Sequence, residues 1–239
     1  MGPFAQRPPG RGWDREAVTE DYAIARGRMV GEHLRGRGIR DERVLAAMGR
    51  IPRHRFVEEA LAGRAYGDWA LPIGQAQSLS QPYMVARMSE ALALRGGERV
   101  LEVGTGSGYQ TAVLAELSGK VYSVERVRSL ADLARRRLED LGYYNIRVRV
   151  GDGSLGWPEE APFDAILVTA GAPRIPDPLV AQLASGGRLV IPEGGSDTQM
   201  LRRLTRKGDG LHVEDLAACS FVKLIGARAW RAEESQGPR

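Results

Sequence analysis

The chain has 239 residues, 43% of them apolar and 27% charged, with 34 basic against 30 acidic side chains. That is length enough for one domain with a full core, and a net charge of +4 neither demands nor excludes an anionic partner. A single cysteine, Cys219, excludes an internal disulfide and a multi-cysteine metal site; the scattered His33, His54 and His212 speak against a histidine metal centre. No apolar run reaches the ~18 residues of a membrane span. The start, Met1 to Arg15, lacks the apolar core of a signal peptide, so the expected compartment is the cytoplasm.

Residues 1–20, rich in Pro, Gly and Arg, read as a disordered basic tail. A single domain then spans 21–228, and 229–239 read as a second flexible tail. Within the domain, 21–95 carry helices and a loop, 96–192 an alternating core, and 193–228 antiparallel strands. Ile24, Met29, Val30 and Leu34 form a helical face over Tyr22–Arg37. Asp41 is placed to cap a short helix through Met48, which Pro52 stops. Residues 63–82 lack periodicity and read as loop, and Pro82 opens a helix over Tyr83–Leu94. From Arg99 strands and helices alternate: strands at Arg99–Val103, Lys120–Glu125, Ile146–Val150, Phe163–Thr169 and Arg188–Ile191, helices at 107–118, Val127–Leu141 and Pro178–Leu183. That order predicts a mostly parallel sheet with helices on both faces. Gln199–Thr205 and Leu211–Ala217 read as an antiparallel pair about Gly208-Asp209-Gly210, with one more short strand at Phe221–Ile225.

Gly104, Gly106 and Gly108 follow the first of these strands and open a helix. Glycine allows a sharp turn and close approach of a ligand to the backbone. The pattern is G-x-G-x-G, with Tyr109 where the dinucleotide fingerprint has its last glycine. Glu102 precedes it by two residues, which suits a cationic ligand better than a pyrophosphate. S-adenosylmethionine carries an ammonium and a sulfonium and no phosphate. Glu125, 21 residues after Gly104, ends the second strand, where an acid can accept from both ribose hydroxyls. Asp152, in Gly151-Asp152-Gly153, follows the third strand and is placed to accept from an adenine amino group. Each acid taken singly is also a plausible helix cap; three at successive strand ends point to a donor site. The expected fold is α/β, a Rossmann-like class I S-adenosylmethionine-dependent methyltransferase with an N-terminal helical extension.

The stretch Leu71-Pro-Ile-Gly-Gln-Ala-Gln-Ser-Leu-Ser-Gln-Pro-Tyr83 is more specific. It resembles the signature loop of the protein-L-isoaspartate (D-aspartate) O-methyltransferase family, G-x-x-Q-T-I-S-x-P, with Ser78 for Thr and Leu79 for Ile. Ile51-Pro-Arg-His-Arg-Phe-Val57, Ala161-Pro-Phe-Asp-Ala-Ile166 and Gly186-Gly-Arg-Leu-Val-Ile-Pro192 fit the same family in the same order. The resemblance implies that Ser80 is the active-site residue and that Gln77, Ser78, Leu79 and Ser80 line the donor pocket. It further implies that Glu102, Gly104, Gly106, Glu125, Asp152 and Gly153 contact S-adenosylmethionine, with no metal. Its implied substrates are isoaspartyl residues in damaged proteins and peptides; no nucleic-acid or membrane partner is expected, and the chain is expected to be a monomer. The family's late F-V-P-L-I-G reads Phe221-Val-Lys-Leu-Ile-Gly226 here; Lys223 either borders the peptide cleft or guards a strand edge.

The residues suit that chemistry. A carboxylate is ionised at pH 7 without a general base, so a lone orienting hydroxyl suffices. Trp69 and Tyr83 flank the loop; for Trp69 the reading is core packing. His54 reads as structural and Cys219 as a buried small residue. Two rivals stay open on the sequence: a methyltransferase of another substrate class, and a non-catalytic cofactor-binding scaffold. The segment Thr169-Ala-Gly-Ala-Pro173 lacks the aromatic tetrapeptide of amino-group methylation, and Ser80 beside a complete donor loop disfavours the scaffold.

Overall fold

The computed structural model describes residues 15–208, 210–231 and 233. Helix α1 (Arg15–Arg28) begins inside the stretch read as tail, so residues 15–20 are helical; residues 1–14 lie outside the described residues. The face read over Tyr22–Arg37 is not one α-helix. After α1 the chain loosens into a π-helical turn (Met29–Leu34) and then tightens into a 3-10 turn (Arg35–Arg37). Gly31 and Gly36 weaken this stretch, and Gly38, at φ 96°, ends it in the left-handed region. Helix α2 (Glu42–Arg50) starts where expected: the Asp41 side chain accepts from the N–H groups of Arg43 and Val44. Two 3-10 turns follow, Arg53–Phe56 and Glu59–Arg64.

The segment read as plain loop holds a small antiparallel hairpin, β1 (Leu71–Pro72) with β2 (Ser78–Leu79), pairing Leu71 with Leu79. Two residues per strand are too few to show any periodicity. Helix α3 (Pro82–Leu92) begins on its proline, as expected.

The alternating core then runs β3 (Arg99–Val103), α4 (Tyr109–Leu117), β4 (Lys120–Glu125), α5 (Arg128–Asp140), β5 (Ile146–Val150), β6 (Phe163–Val168), α6 (Asp177–Ala181), β7 (Leu183–Gly194), β8 (Gln199–Lys207) and β9 (Gly210–Cys219). These seven strands form one sheet in the order β5-β4-β3-β6-β7-β8-β9. Pairing is parallel from β5 to β7 and antiparallel from β7 to β9. Alternate residues serve opposite faces. Val100, Val121, Ala165 and Val190 join the core under the N-terminal helices, while Leu101, Tyr122, Ile166 and Leu189 join a second core on the other face. Both faces are therefore covered, as the apolar strands require.

Three C-terminal readings change. β7 runs for 12 residues because β8 pairs with it through Pro192 to Gly194, well past the expected Ile191. Phe221–Ile225 is not a strand. Its Val222 carbonyl and Leu224 N–H both bond to Gly171, leaving only isolated bridges, Gly171 with Lys223 and Ile225 with Trp230. The stretch read as a tail from 229 is anchored at its start: the Trp230 indole donates to the Gly171 carbonyl at 3.1 Å. Asp209 of the expected turn, Ala232 and residues 234–239 lie outside the described residues.

Candidate active site

The strand order reverses beside β3, whose neighbours β4 and β6 continue in opposite directions. Ligands of open α/β sheets bind at such a switch point, off the carboxyl ends of the strands. The glycine turn sits there. Gly104 has φ 98°, and a Cβ on it would lie 2.3 Å from the Thr169 hydroxyl oxygen. That hydroxyl donates to the Gly104 carbonyl at 2.7 Å and approaches the Val103 carbonyl at 3.0 Å. Gly106, also left-handed at φ 54°, donates its N–H to Glu125 Oε2 at 2.9 Å; Glu125 Oε1 accepts from the Val127 N–H at 2.8 Å. Two of the roughly four lone-pair sites of the Glu125 carboxylate are thus used. The remainder can take two ribose hydroxyls.

Gly104, Gly106, Glu125, Gly153, Gln77 and Ser80 are among the walls of a cavity over this turn, as are Ser78 and Leu79. The backbone there is bare by necessity: a Cβ on Gly153 would fall 2.4 Å from Val103 Cγ1. A turn stripped of side chains with a fixed carboxylate beside it fits the adenosine part of S-adenosylmethionine.

Glu102 and Asp152 stand elsewhere. Glu102 is fully buried and lines no part of the cavity; its Oε2 accepts from Thr111 Oγ1 and Ser123 Oγ, each at 2.6 Å. Burial pushes its carboxyl up to about 8, against the pull of those two hydrogen bonds, and Glu125 raises it further. At neutral pH it is mostly uncharged, so the charge argument that singled it out does not describe its role. Its hydrogen bonds tie β3, β4 and α4 together beneath the turn, with Thr105 joined to Ser123 at 2.6 Å. Asp152 caps the 3-10 turn Gly153–Leu155, accepting from the Ser154 N–H and hydroxyl, while its other oxygen accepts from the Ala227 N–H at 2.7 Å. The carboxylate expected to meet adenine braces the C-terminal segment, and only its neighbour Gly153 reaches the cavity.

The hairpin supplies the opposite wall. Gly74, Gln75 and Ala76 are all left-handed, and the Ile73 N–H closes onto the Gln77 carbonyl at 3.0 Å. Leu79 turns its side chain into the core opposite Leu71, which leaves Ser78 and Ser80 outward. Beyond them lies a second cavity of about 690 Å³, walled among others by Tyr83, Thr169, Phe221 and Val222. Ser78, Ser80, Thr169 and Val222 face both cavities and form the boundary between them. The Ser80 hydroxyl has no hydrogen-bond partner among the described residues. Its carbonyl accepts from Arg53 Nη2 at 2.7 Å, and Arg53 Nε donates to the Ala65 carbonyl at 2.7 Å. Arg53 is fully buried and lies against the Tyr109 ring at 4.7 Å.

The chain has relatives among known proteins. A family model described as protein-L-isoaspartate(D-aspartate) O-methyltransferase matches residues 26–229. The chain belongs to that family. A protein-L-isoaspartate O-methyltransferase of Syntrophus aciditrophicus is 59% identical over 216 residues, 89% of this chain and 99% of the relative. One of Magnetococcus marinus is 61% identical over 198 residues, 82% of this chain and 87% of the relative. A solved protein-L-isoaspartate O-methyltransferase superimposes with a TM-score of 0.76 at 30% identity, covering 85% of this chain and 67% of its own. A Plasmodium falciparum structure described by the same activity, in complex with S-adenosyl-L-homocysteine, gives 0.72 at 28% identity, covering 84% and 98%.

Against the family pattern, Lys223 lies on the donor side: it walls the glycine-turn cavity, whereas the neighbouring Phe221 and Val222 reach the second one. Its ammonium stands 5.2 Å from the Trp230 ring centroid. Tyr83 walls the second cavity as expected, beneath the Arg37 guanidinium at 3.8 Å. Trp69 is not a core residue; it is 47% exposed at the mouth of that cavity. Thr169 and Val222 are boundary residues to which sequence reading gave no role at the cavity, since only the fold brings the two segments together. His54 is structural, stacked on Tyr22 at 4.1 Å and bonded to the Tyr66 hydroxyl at 2.8 Å. Cys219 is half-buried, and burial pushes its thiol up to about 11.

Proposed function

We propose that this chain moves the methyl group of S-adenosylmethionine to the free α-carboxylate of L-isoaspartyl residues, and of D-aspartyl residues, in damaged proteins and peptides. The observation that carries the reading is Ser80, a hydroxyl with no partner among the described residues, held by its own carbonyl on the boundary between the donor cavity and the second cavity. Gly104, Gly106, Gly153, Glu125, Gln77 and Ser78 hold the donor, with Leu79 packed behind and Glu102 and Asp152 bracing the walls. The donor supplies an electrophilic methyl on a sulfonium.

The acceptor carboxylate is already ionised, so the protein need only aim it. Ser80 donates to the non-attacking oxygen, which orients the carboxylate and leaves the attacking oxygen free. Arg53 fixes where that hydroxyl stands. Positioning of this kind is worth up to about 7–11 kcal/mol of barrier. No histidine lines either cavity among the described residues, and the reaction calls for none. The backbone amide nitrogen of the following residue then attacks the methyl ester, expelling methanol and closing a succinimide, which water reopens partly to aspartate. The enzyme is read as a cytoplasmic monomer with no nucleic-acid or membrane partner. Among the described residues no helix is long and apolar enough to cross a membrane.

Labelled methyl transfer to an isoaspartyl peptide, with the aspartyl peptide as control, tests the reaction. Labelling of the isoaspartyl peptide alone is expected; equal labelling of both, or of neither, refutes it. Ser80→Ala should lower kcat by about a hundredfold or more, the loss of one oriented contact in the transition state, with donor Kd within about twofold. Near-wild-type turnover in that variant would remove Ser80 from the mechanism.

A further inference from the structure

Trp69 divides two hollows. On one side is the acceptor cavity; on the other is a groove of about 410 Å³ between the N-terminal helical segment and the Glu59–Arg64 turn. The indole is pinned. It covers Gly67 so closely that a Cβ there would lie 2.1 Å from the ring. The Trp69 backbone N–H donates to the Gly67 carbonyl at 3.0 Å, and the next residue back, Asp68, accepts through its carboxylate from Arg37 at 2.5 Å and through its carbonyl from Gln81 at 2.9 Å. The groove's basic walls are Arg28, His33 and Arg64, with Tyr66 beside them, and no acidic side chain lines it among the described residues. Glu32 stands 4.0 Å from Arg28, with both side chains about two-thirds exposed, which leaves that charge weakly neutralised. Arg64 also lies 5.8 Å from the Trp69 ring.

We propose that this groove is a subsite for acidic side chains of the peptide substrate, reached by chain that runs from Ser80 over the exposed face of Trp69. The inference rests on the methyl-transfer reading above. An extended peptide advances roughly 3.3 Å per residue, so the side chains read there lie several positions from the isoaspartate, and Trp69 offers its ring to the backbone between. A cationic groove beside a rigid aromatic platform attracts carboxylates and repels lysine, which makes the enzyme selective for damage within acidic segments.

The test uses full-length enzyme and isoaspartyl peptides that carry two Glu, two Ser or two Lys about three to five residues from the isoaspartate, on either side in turn. On one side the Glu peptide should exceed the Ser peptide by about 3- to 10-fold in kcat/KM, mostly through KM, with Lys below Ser. The preference should shrink in high salt. It should also vanish in the double variant Arg28→Gln, Arg64→Gln, which keeps wild-type turnover on a short neutral peptide. Trp69→Ala should raise KM for the long peptides by a larger factor than for the short one and shrink the Glu-over-Ser preference. Equal rates across the charge series on both sides, or a preference that survives the double variant, overturns the subsite. Inhibition by an oligonucleotide without any peptide charge preference assigns the groove to another polyanion and also overturns it. Failure to methylate even the neutral isoaspartyl peptide defeats the methyl-transfer reading itself, and this inference with it.

Discussion

Glu102 and Glu125 carry the same carboxyl group on either side of one turn, yet one is closed off and the other faces the cavity. β3 points Glu102 into the protein, where its carboxyl ionises near 8, against about 4.3 in an unfolded chain. Between those values the unfolded state has lost a proton that the folded state keeps. Stability therefore falls as pH rises through that window, and the penalty is complete above pH 8. Glu102→Gln keeps an acceptor for Thr111 and Ser123 and removes the ionisation. Denaturant titrations at pH 5, 6.5 and 8 should show the variant gaining on the wild-type protein with each step, by on the order of a few kcal/mol in all. A difference that does not change with pH would show that Glu102 is ordinary in its titration.

At the scale of elements, the glycine turn and the β1–β2 hairpin make the two walls of the donor cavity, and they differ in legibility. The turn announces itself because only glycine tolerates its geometry. Gly104 is left-handed and has Thr169 against it, whereas Gly142, after α5, is left-handed with open space around it. Gly142→Ala should therefore cost only backbone strain, about 1 kcal/mol in a denaturation curve, with S-adenosylhomocysteine binding unchanged. Gly104→Ala must displace Thr169 and the turn, and calorimetric titration should find that binding weakened by about tenfold or more. Equal effects of the two substitutions would mean that the close approach at Gly104 is irrelevant to the ligand. The hairpin carries no comparable mark. Its pairing of Leu71 with Leu79 comes from burying both in the N-terminal core, and its left-handed Gln75 and Ala76 are held by that closure.

At the scale of the whole molecule, the donor cavity draws walls from several separated stretches, among them the Gln77–Ser80 loop, the β3–α4 turn, the end of β4, the Gly153 and Thr169 loops, and Val222 to Ile225. A ligand bridging them adds its binding energy to the folding of the whole chain. S-adenosylhomocysteine at about a hundred times its Kd should stabilise the protein by about 2.7 kcal/mol, a rise in Tm of roughly 5–10 °C for a chain of this size. Glu125→Ala should lose most of that rise at the same ligand concentration. A thermal scan in which the variant responds like the wild-type protein would remove Glu125 from the donor site.

Local pattern alone determined the alternating core, the cap at Asp41 and the glycine turn, because each is a constraint between residues close in the chain; the motifs around Ser80 were legible through their resemblance to the family. Two-residue strands, the π-helical turn and the reach of β7 were decided by partners distant in sequence. So were the separate fates of the three strand-end acids: Glu125 meets the cavity, Glu102 is shut beneath it, and Asp152 is claimed by the Ala227 N–H, 75 positions away. Arg53 and Ser80 stand 27 positions apart and meet only when the N-terminal segment folds over α4. Trp69, an apolar side chain by composition, is kept at the surface by the lack of a side chain at Gly67 and by the tether at Asp68. Those are facts of packing in three dimensions, and the proposed substrate groove exists only because of them.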